Sequence, residues 1–179
     1  MQPIRTQSVL RTAEPSRVAV DEKQIEVGGE EKWLYAAIDT ESKLLLEIDV
    51  YSRCGTDPAA LTRVISRSHI RNQRFLRTAF LHRLTEKHDV SDTEFLVYGG
   101  GYLTALFRHD LSGQLDYEER SHIEKWFQTV SMRIDRFHSF WRGSQASAQR
   151  WLRRFRHHYN HDRPNQALDN QTPVEAVLN

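Results

Sequence analysis

Three strand-like segments follow one another in the first third of the chain, and only short turns separate them. The first runs from Val18 to Val27 and leads into Gly28-Gly29, a glycine pair typical of a hairpin. The second covers Trp33 to Ile38 and the third Leu44 to Tyr51. A parallel connection needs a dozen or more residues, so strands joined this closely pair in opposite directions. The sequence therefore predicts an antiparallel meander.

The next part of the chain alternates helical and strand patterns. Asp57-Pro58 is a typical helix start, and the helical pattern that follows it to His88 is long enough for two helices or a kinked one. A short strand from Glu94 to Tyr98, a helix from Tyr102 to Phe107 and a short strand from Gln114 to Tyr117 come next. Helical crossovers place strands in parallel, so the complete sheet is predicted to be mixed.

Two amphipathic helices are predicted near the end of the chain. Apolar residues spaced by four and three form one face of the first, namely Ile123, Phe127, Val130, Ile134, Phe137 and Trp141. The second helix runs from about Ala146 to Tyr159, with most of its arginines off the apolar face. Pro164 cannot continue a helix, so the chain should leave helical structure near Asn160.

Composition fits one ordinary soluble domain. A chain of 179 residues can bury roughly 70% of its unfolded surface. No stretch approaches the roughly 20 apolar residues that span a bilayer, and residues 1–20 lack the apolar run of a signal peptide. Cys54 is the only cysteine, so an intrachain disulfide is excluded. These features predict no membrane partner and a cytoplasmic location.

The net charge of +1 hides blocks of alternating sign. Residues 17–60 carry −5, residues 61–88 carry +6, residues 89–119 carry −6 and residues 120–164 carry +7. Such runs are most often solvated helix faces. An acidic sheet beside basic helices would also suit a metal site next to a phosphate-binding surface.

The end of the chain resembles a known family. The run Tyr159-Asn160-His161-Asp162-Arg163-Pro164-Asn165-Gln166-Ala167-Leu168, followed by Thr172-Pro173, is similar to the tail of DDE transposases of insertion sequences and of retroviral-type integrase cores. The resemblance covers about residues 17–179. It implies an α/β fold: a ribonuclease-H-like mixed five-stranded sheet flanked by helices. Residues 1–16 are then a lead-in, the remnant of a lost N-terminal DNA-binding region.

The resemblance also implies two catalytic metal ligands, Asp21 and Glu124. Enzymes of this kind hold Mg²⁺ or Mn²⁺ through carboxylates, because these hard cations prefer oxygen ligands. Each residue has an alternative role. Asp21 could be an ordinary strand-end carboxylate, and Glu124 could close a capping box with Ser121 at a helix start.

The middle carboxylate of the family pattern is missing, because its position is occupied by Tyr98. A phenol, with a pKa of about 10, is neutral at pH 7 and cannot replace a carboxylate shared by two cations. A second departure is an insertion at about residues 61–78, which carries five arginines and no acid. It could be a DNA-facing helix or a solvated insertion.

The resemblance implies a Mg²⁺-dependent polynucleotidyl transferase that cleaves and joins DNA during transposition, impaired here by Tyr98. The alternative is a catalytically inactive DNA-binding remnant, and a plain structural or protein-interaction role is a third hypothesis. The implied partners are transposon-end and target DNA and further copies of the chain. The predicted DNA contacts are Lys125, Arg133, Arg136, Arg150, Arg153, Arg154 and Arg163.

Overall fold

The computed structural model describes residues 14–52, 69–97, 100–115, 124 and 140–178. Its strands are β1 (Arg17–Val27), β2 (Glu30–Asp39), β3 (Leu45–Ser52), β4 (Glu94–Val97), β5 (Ser112–Leu115) and β6 (Phe140–Trp141). Its helices are α1 (His69–Lys87), α2 (Gly100–Phe107), α3 (Gln145–His161) and α4 (Pro173–Leu178), with a 3-10 turn at Gln166–Leu168. No helix in these ranges is both long enough and apolar enough to cross a membrane.

Five of these strands form one sheet in the order β3-β2-β1-β4-β5. β1, β2 and β3 pair antiparallel, whereas β4 pairs parallel with both β1 and β5. The predicted meander and the predicted mixed sheet are both confirmed. β1 lies at the centre of the sheet, and it is the longest strand at 11 residues.

β6 is an addition that the sequence pattern concealed. The apolar periodicity predicted a helix continuing to Trp141, but Phe140 and Trp141 pair parallel with Glu26 and Val27 at the far end of β1. The prediction is wrong here, because a single spacing of four from Phe137 to Trp141 does not distinguish a helix end from a short strand. The Trp141 carbonyl accepts a hydrogen bond from Gly28 N at 2.6 Å, which fixes this pairing.

Helices cover both faces of the sheet. On one face, Val20 of β1 and Tyr35 of β2 pack in a buried cluster with Phe80 of α1 and Tyr102 of α2. On the other, residues such as Ala19, Leu34 and Ile48 pack against Leu152 and Phe155 of α3. Alternate residues of a strand point to opposite faces, so this division assigns each β1 side chain to one helical layer.

The outer edge of β3 is covered by side chains of α3. Asn160, which is 1% exposed, donates from Nδ2 to the Leu45 carbonyl and accepts from Leu45 N, both at 3.0 Å. Gln149 does the same for Ile48 O and Val50 N, at 3.1 and 2.9 Å. An uncovered edge strand leaves backbone groups open to pairing with other chains, and here amide side chains occupy them.

The chain leaves α3 at His161, next to the predicted position, and then makes a compact turn. The Asn165 side chain accepts from Ala167 N and starts the 3-10 turn. α4 begins with a capping box, in which Thr172 Oγ1 accepts from Glu175 N while Glu175 accepts from Thr172 N. Pro173 occupies the first helical position, where its missing N–H is harmless.

Candidate active site

The end of β4 lies beside the middle of β1. On β1, the described pairing with β4 covers Arg17 to Val20, and the described pairing with β6 covers Glu26 and Val27. Open α/β sheets bind ligands beyond the carboxyl ends of their parallel strands, and β4 is described up to Val97. This end of β4, next to Asp21, is the strongest candidate for a functional site in the described part of the chain.

Asp21 lies beside this end of β4. It is half-buried, and its Oδ1 accepts a hydrogen bond from Glu22 N at 2.9 Å. Val97, the last residue of β4, pairs with Val20 of β1. Asp21 follows Val20 directly, and Tyr98 follows Val97 directly. Tyr98 itself lies outside the described residues. The predicted approach of Asp21 and Tyr98 therefore stays a prediction.

Glu124 is helical and half-buried. Residues 121–123 and 125–139 lie outside the described part. The residues left out include the proposed capping partner Ser121 and the predicted DNA contacts Lys125, Arg133 and Arg136. The prediction that Glu124 faces Asp21 remains a prediction. Among the described residues, no group of three or more His, Cys, Asp or Glu side chains could hold a metal ion. A metal site here would depend on separate carboxylates such as Asp21 and Glu124.

A buried ion pair lies immediately beside Asp21. Glu22 Oε1 accepts from Arg77 Nη2 at 2.5 Å, and the Tyr102 hydroxyl donates to the second carboxylate oxygen. The guanidinium also lies over the Tyr102 ring, 4.7 Å from its centroid. The side chains of Arg77 and Glu22 are only 15% and 10% exposed. The sequence placed Arg77 in an insertion that could be DNA-facing or solvated, whereas the Arg77 side chain itself lies in this largely buried ion pair.

The surroundings keep the two nearby phenols protonated. Burial, followed by the charge of Glu22, raises the pKa of Tyr102 well above 10 and also raises the pKa of Tyr35. Burial opposes the charge on Arg77, yet its hydrogen bond and attraction to Glu22 raise its pKa overall. The cluster is therefore a charged Glu22–Arg77 pair with Tyr102 as a neutral hydrogen-bond donor.

The exposed face of α3 carries a row of cationic groups. Arg150, Arg153 and Arg154 are exposed and lie opposite the buried face that contains Leu152 and Phe155. This matches the predicted placement of the arginines off the apolar face. Arg163 differs, because it is half-buried and its Nη1 is enclosed without a hydrogen-bond partner among the described residues. Among these four predicted DNA contacts, the three α3 arginines are therefore the exposed ones.

The solved structures that are similar in fold include the following two. The catalytic core domain of BIV integrase superposes with a TM-score of 0.57 at 10% identity, covering 91% of this chain and 93% of that one. A chain of the simian T-cell lymphotropic virus intasome in complex with the PP2A regulatory subunit B56 gamma gives 0.59 at 10% identity, covering 94% and 56%. These similarities confirm the predicted ribonuclease-H-like fold. No protein-family model matches the sequence, and no curated protein matches it.

Proposed function

We propose that the chain is the catalytic domain of a DDE transposase of an insertion sequence, impaired by Tyr98. The observation that supports this most directly is the position of Asp21. It lies on the central strand of an integrase-like sheet, one residue after Val20, which pairs with Val97 at the described end of β4. The first catalytic carboxylate of such an enzyme is expected at this position. DNA and further copies of the chain are its proposed partners.

Asp21 and Glu124 are the residues that would hold a divalent cation. Bound Mg²⁺ or Mn²⁺ would activate the attacking oxygen and stabilise the leaving oxygen of a phosphodiester. The donor set fits one ion, because Mg²⁺ keeps several waters and needs only one or two protein carboxylates. A second ion about 4 Å away needs a bridging carboxylate to offset the repulsion between two dications. Tyr98 supplies none.

The unmodified protein should therefore bind a single Mn²⁺ weakly, and electron paramagnetic resonance can count it. We expect Asp21→Asn and Glu124→Gln to abolish binding, because each removes one of two carboxylates. Glu26→Gln is the matched control, since Glu26 is an exposed carboxylate on the same strand. Two tight Mn²⁺ sites in the unmodified chain would show that another carboxylate has replaced the middle one. Unchanged binding in Asp21→Asn would refute the metal role.

We also propose that the exposed α3 face binds the phosphate backbone of DNA. Binding should depend little on sequence and should weaken steeply with salt, with a log–log slope of about −0.9 for each phosphate neutralised on duplex DNA. Replacing Arg150, Arg153 and Arg154 together by Gln should make that slope shallower by about 3. Fluorescence anisotropy with a labelled duplex over about 50 to 200 mM salt measures this slope.

Arg108 provides the control for this measurement, because it is exposed and directly follows α2, which packs on the opposite face of the sheet from α3. Arg108→Gln should leave the salt slope unchanged. A flat salt dependence of the unmodified protein, or no binding at low salt, would contradict the proposed surface. DNA binding is expected both for an impaired enzyme and for an inactive DNA-binding remnant, so this experiment does not separate the two.

A further inference from the structure

We propose that Glu22, held by Arg77 and Tyr102, is a positioning residue that fixes β1 so that Asp21 is correctly placed for a metal ion. This inference rests on the metal role proposed for Asp21. Glu22 points to the opposite face of the sheet from Asp21, because adjacent strand residues alternate. It therefore acts through the backbone that the two residues share.

Glu22 is the next residue of β1 after Asp21, and the two are also joined by a hydrogen bond. The Asp21 carboxylate accepts from Glu22 N at 2.9 Å. The backbone between the two residues therefore links the position of the Glu22 carboxylate to that of Asp21.

The Glu22 contacts tie this segment to both helices on the other face. Arg77 belongs to α1 and Tyr102 to α2, and each bonds a different oxygen of the same carboxylate. The guanidinium and the carboxylate are both largely buried, so water competes little for these hydrogen bonds. Tyr35 of β2 pairs in register with Glu22, which completes the enclosure. Four elements therefore meet at the residue next to Asp21.

Gly101 provides a way to disturb this pair without altering any charge. A Cβ at Gly101 would overlap Arg77 Nη1 and lie 3.3 Å from its Cζ, whereas a Cβ at Gly100 would meet nothing within 4 Å. Both glycines lie in the first turn of α2. Gly101→Ala should push the guanidinium away from Glu22, and Gly100→Ala is its matched control.

Mn²⁺ affinity measured by electron paramagnetic resonance at constant ionic strength provides the test. We expect Gly101→Ala to raise the dissociation constant for Mn²⁺ about 10-fold. This is the lower end of the loss of affinity seen when residues that orient metal ligands are mutated. Gly100→Ala should bind as the unmodified protein does. Electrostatics alone predicts tighter Mn²⁺ binding in Gly101→Ala. Displacing Arg77 leaves the negative charge of Glu22 uncompensated, and that charge should attract the cation more strongly.

Tyr102→Phe is a milder second variant, to be used if Gly101→Ala does not fold. It removes only the hydroxyl that bonds Glu22 and keeps the ring beneath Arg77, and it should also weaken Mn²⁺ binding. Unchanged or tighter binding in folded Gly101→Ala or Tyr102→Phe, with binding lost in Asp21→Asn, overturns the positioning role and leaves the metal role intact. Unchanged binding in Asp21→Asn overturns the proposed function and this inference with it.

Discussion

Tyr98→Asp should convert the protein into a DNA-nicking enzyme that requires Mn²⁺ or Mg²⁺. The unmodified chain should nick supercoiled DNA at least about 10³-fold more slowly, because a phenol cannot bridge two cations at neutral pH. Val97 is the register partner of Val20, so a carboxylate added directly after Val97 is expected to join Asp21 at the same edge. Conversion of supercoiled to open-circular plasmid measures the rate.

Two further variants make this result specific. Tyr98→Asn has nearly the shape of the aspartate without its charge and should stay inactive, and Tyr98→Asp combined with Asp21→Asn should lose the gained activity. The Mn²⁺ stoichiometry should also rise from one to two in Tyr98→Asp. Equal nicking by the unmodified chain and Tyr98→Asp would show that Tyr98 is not the disabling residue. No nicking by either protein would favour the inactive DNA-binding remnant.

Much of the fold follows from local patterns. Alternating apolar residues and the Gly28-Gly29 turn predict the meander, and the short Glu94–Val97 strand between helical segments predicts parallel pairing. β6 was missed because two residues are too few to establish a period. α4 was also missed, although Thr172-Pro173 followed by Glu175 is a typical helix start. A search for capping residues beyond Pro164 would have found it.

The candidate site was only partly predictable. Asp21 could be identified because the resembled family has an acidic residue in the middle of its first strand. The Glu22–Arg77 pair could not be, since the two residues are 55 positions apart and Arg77 lies in an arginine-rich segment that reads as solvated. In the C-terminal run that carries the resemblance, the described contacts hold the fold together. Its Asn160 covers the sheet edge, far along the sequence from any candidate metal ligand.

Asn160→Ala should destabilise the protein by about 3 kcal/mol. The change removes both hydrogen bonds to Leu45 and leaves a buried N–H and a buried carbonyl without partners, at about 1 to 3 kcal/mol each. For a chain of this length the melting temperature should fall by about 6 to 12 °C. Urea denaturation followed by circular dichroism measures the free energy of unfolding directly.

Helix propensity alone predicts that Asn160→Ala stabilises the protein, so the sign of the measured change in stability distinguishes the two effects. Alanine is a better helix former than asparagine by about 0.5 kcal/mol, so a variant that lost no tertiary contact would be slightly stabilised. His157→Ala is the control, because His157 is exposed on the same helix and should change stability by less than about 0.5 kcal/mol. Loss of the Asn160 contacts should also expose the backbone of β3 to pairing between chains, so the variant should aggregate at lower concentration. Equal stability of Asn160→Ala and His157→Ala would show that α3 does not hold the edge of β3 through this residue.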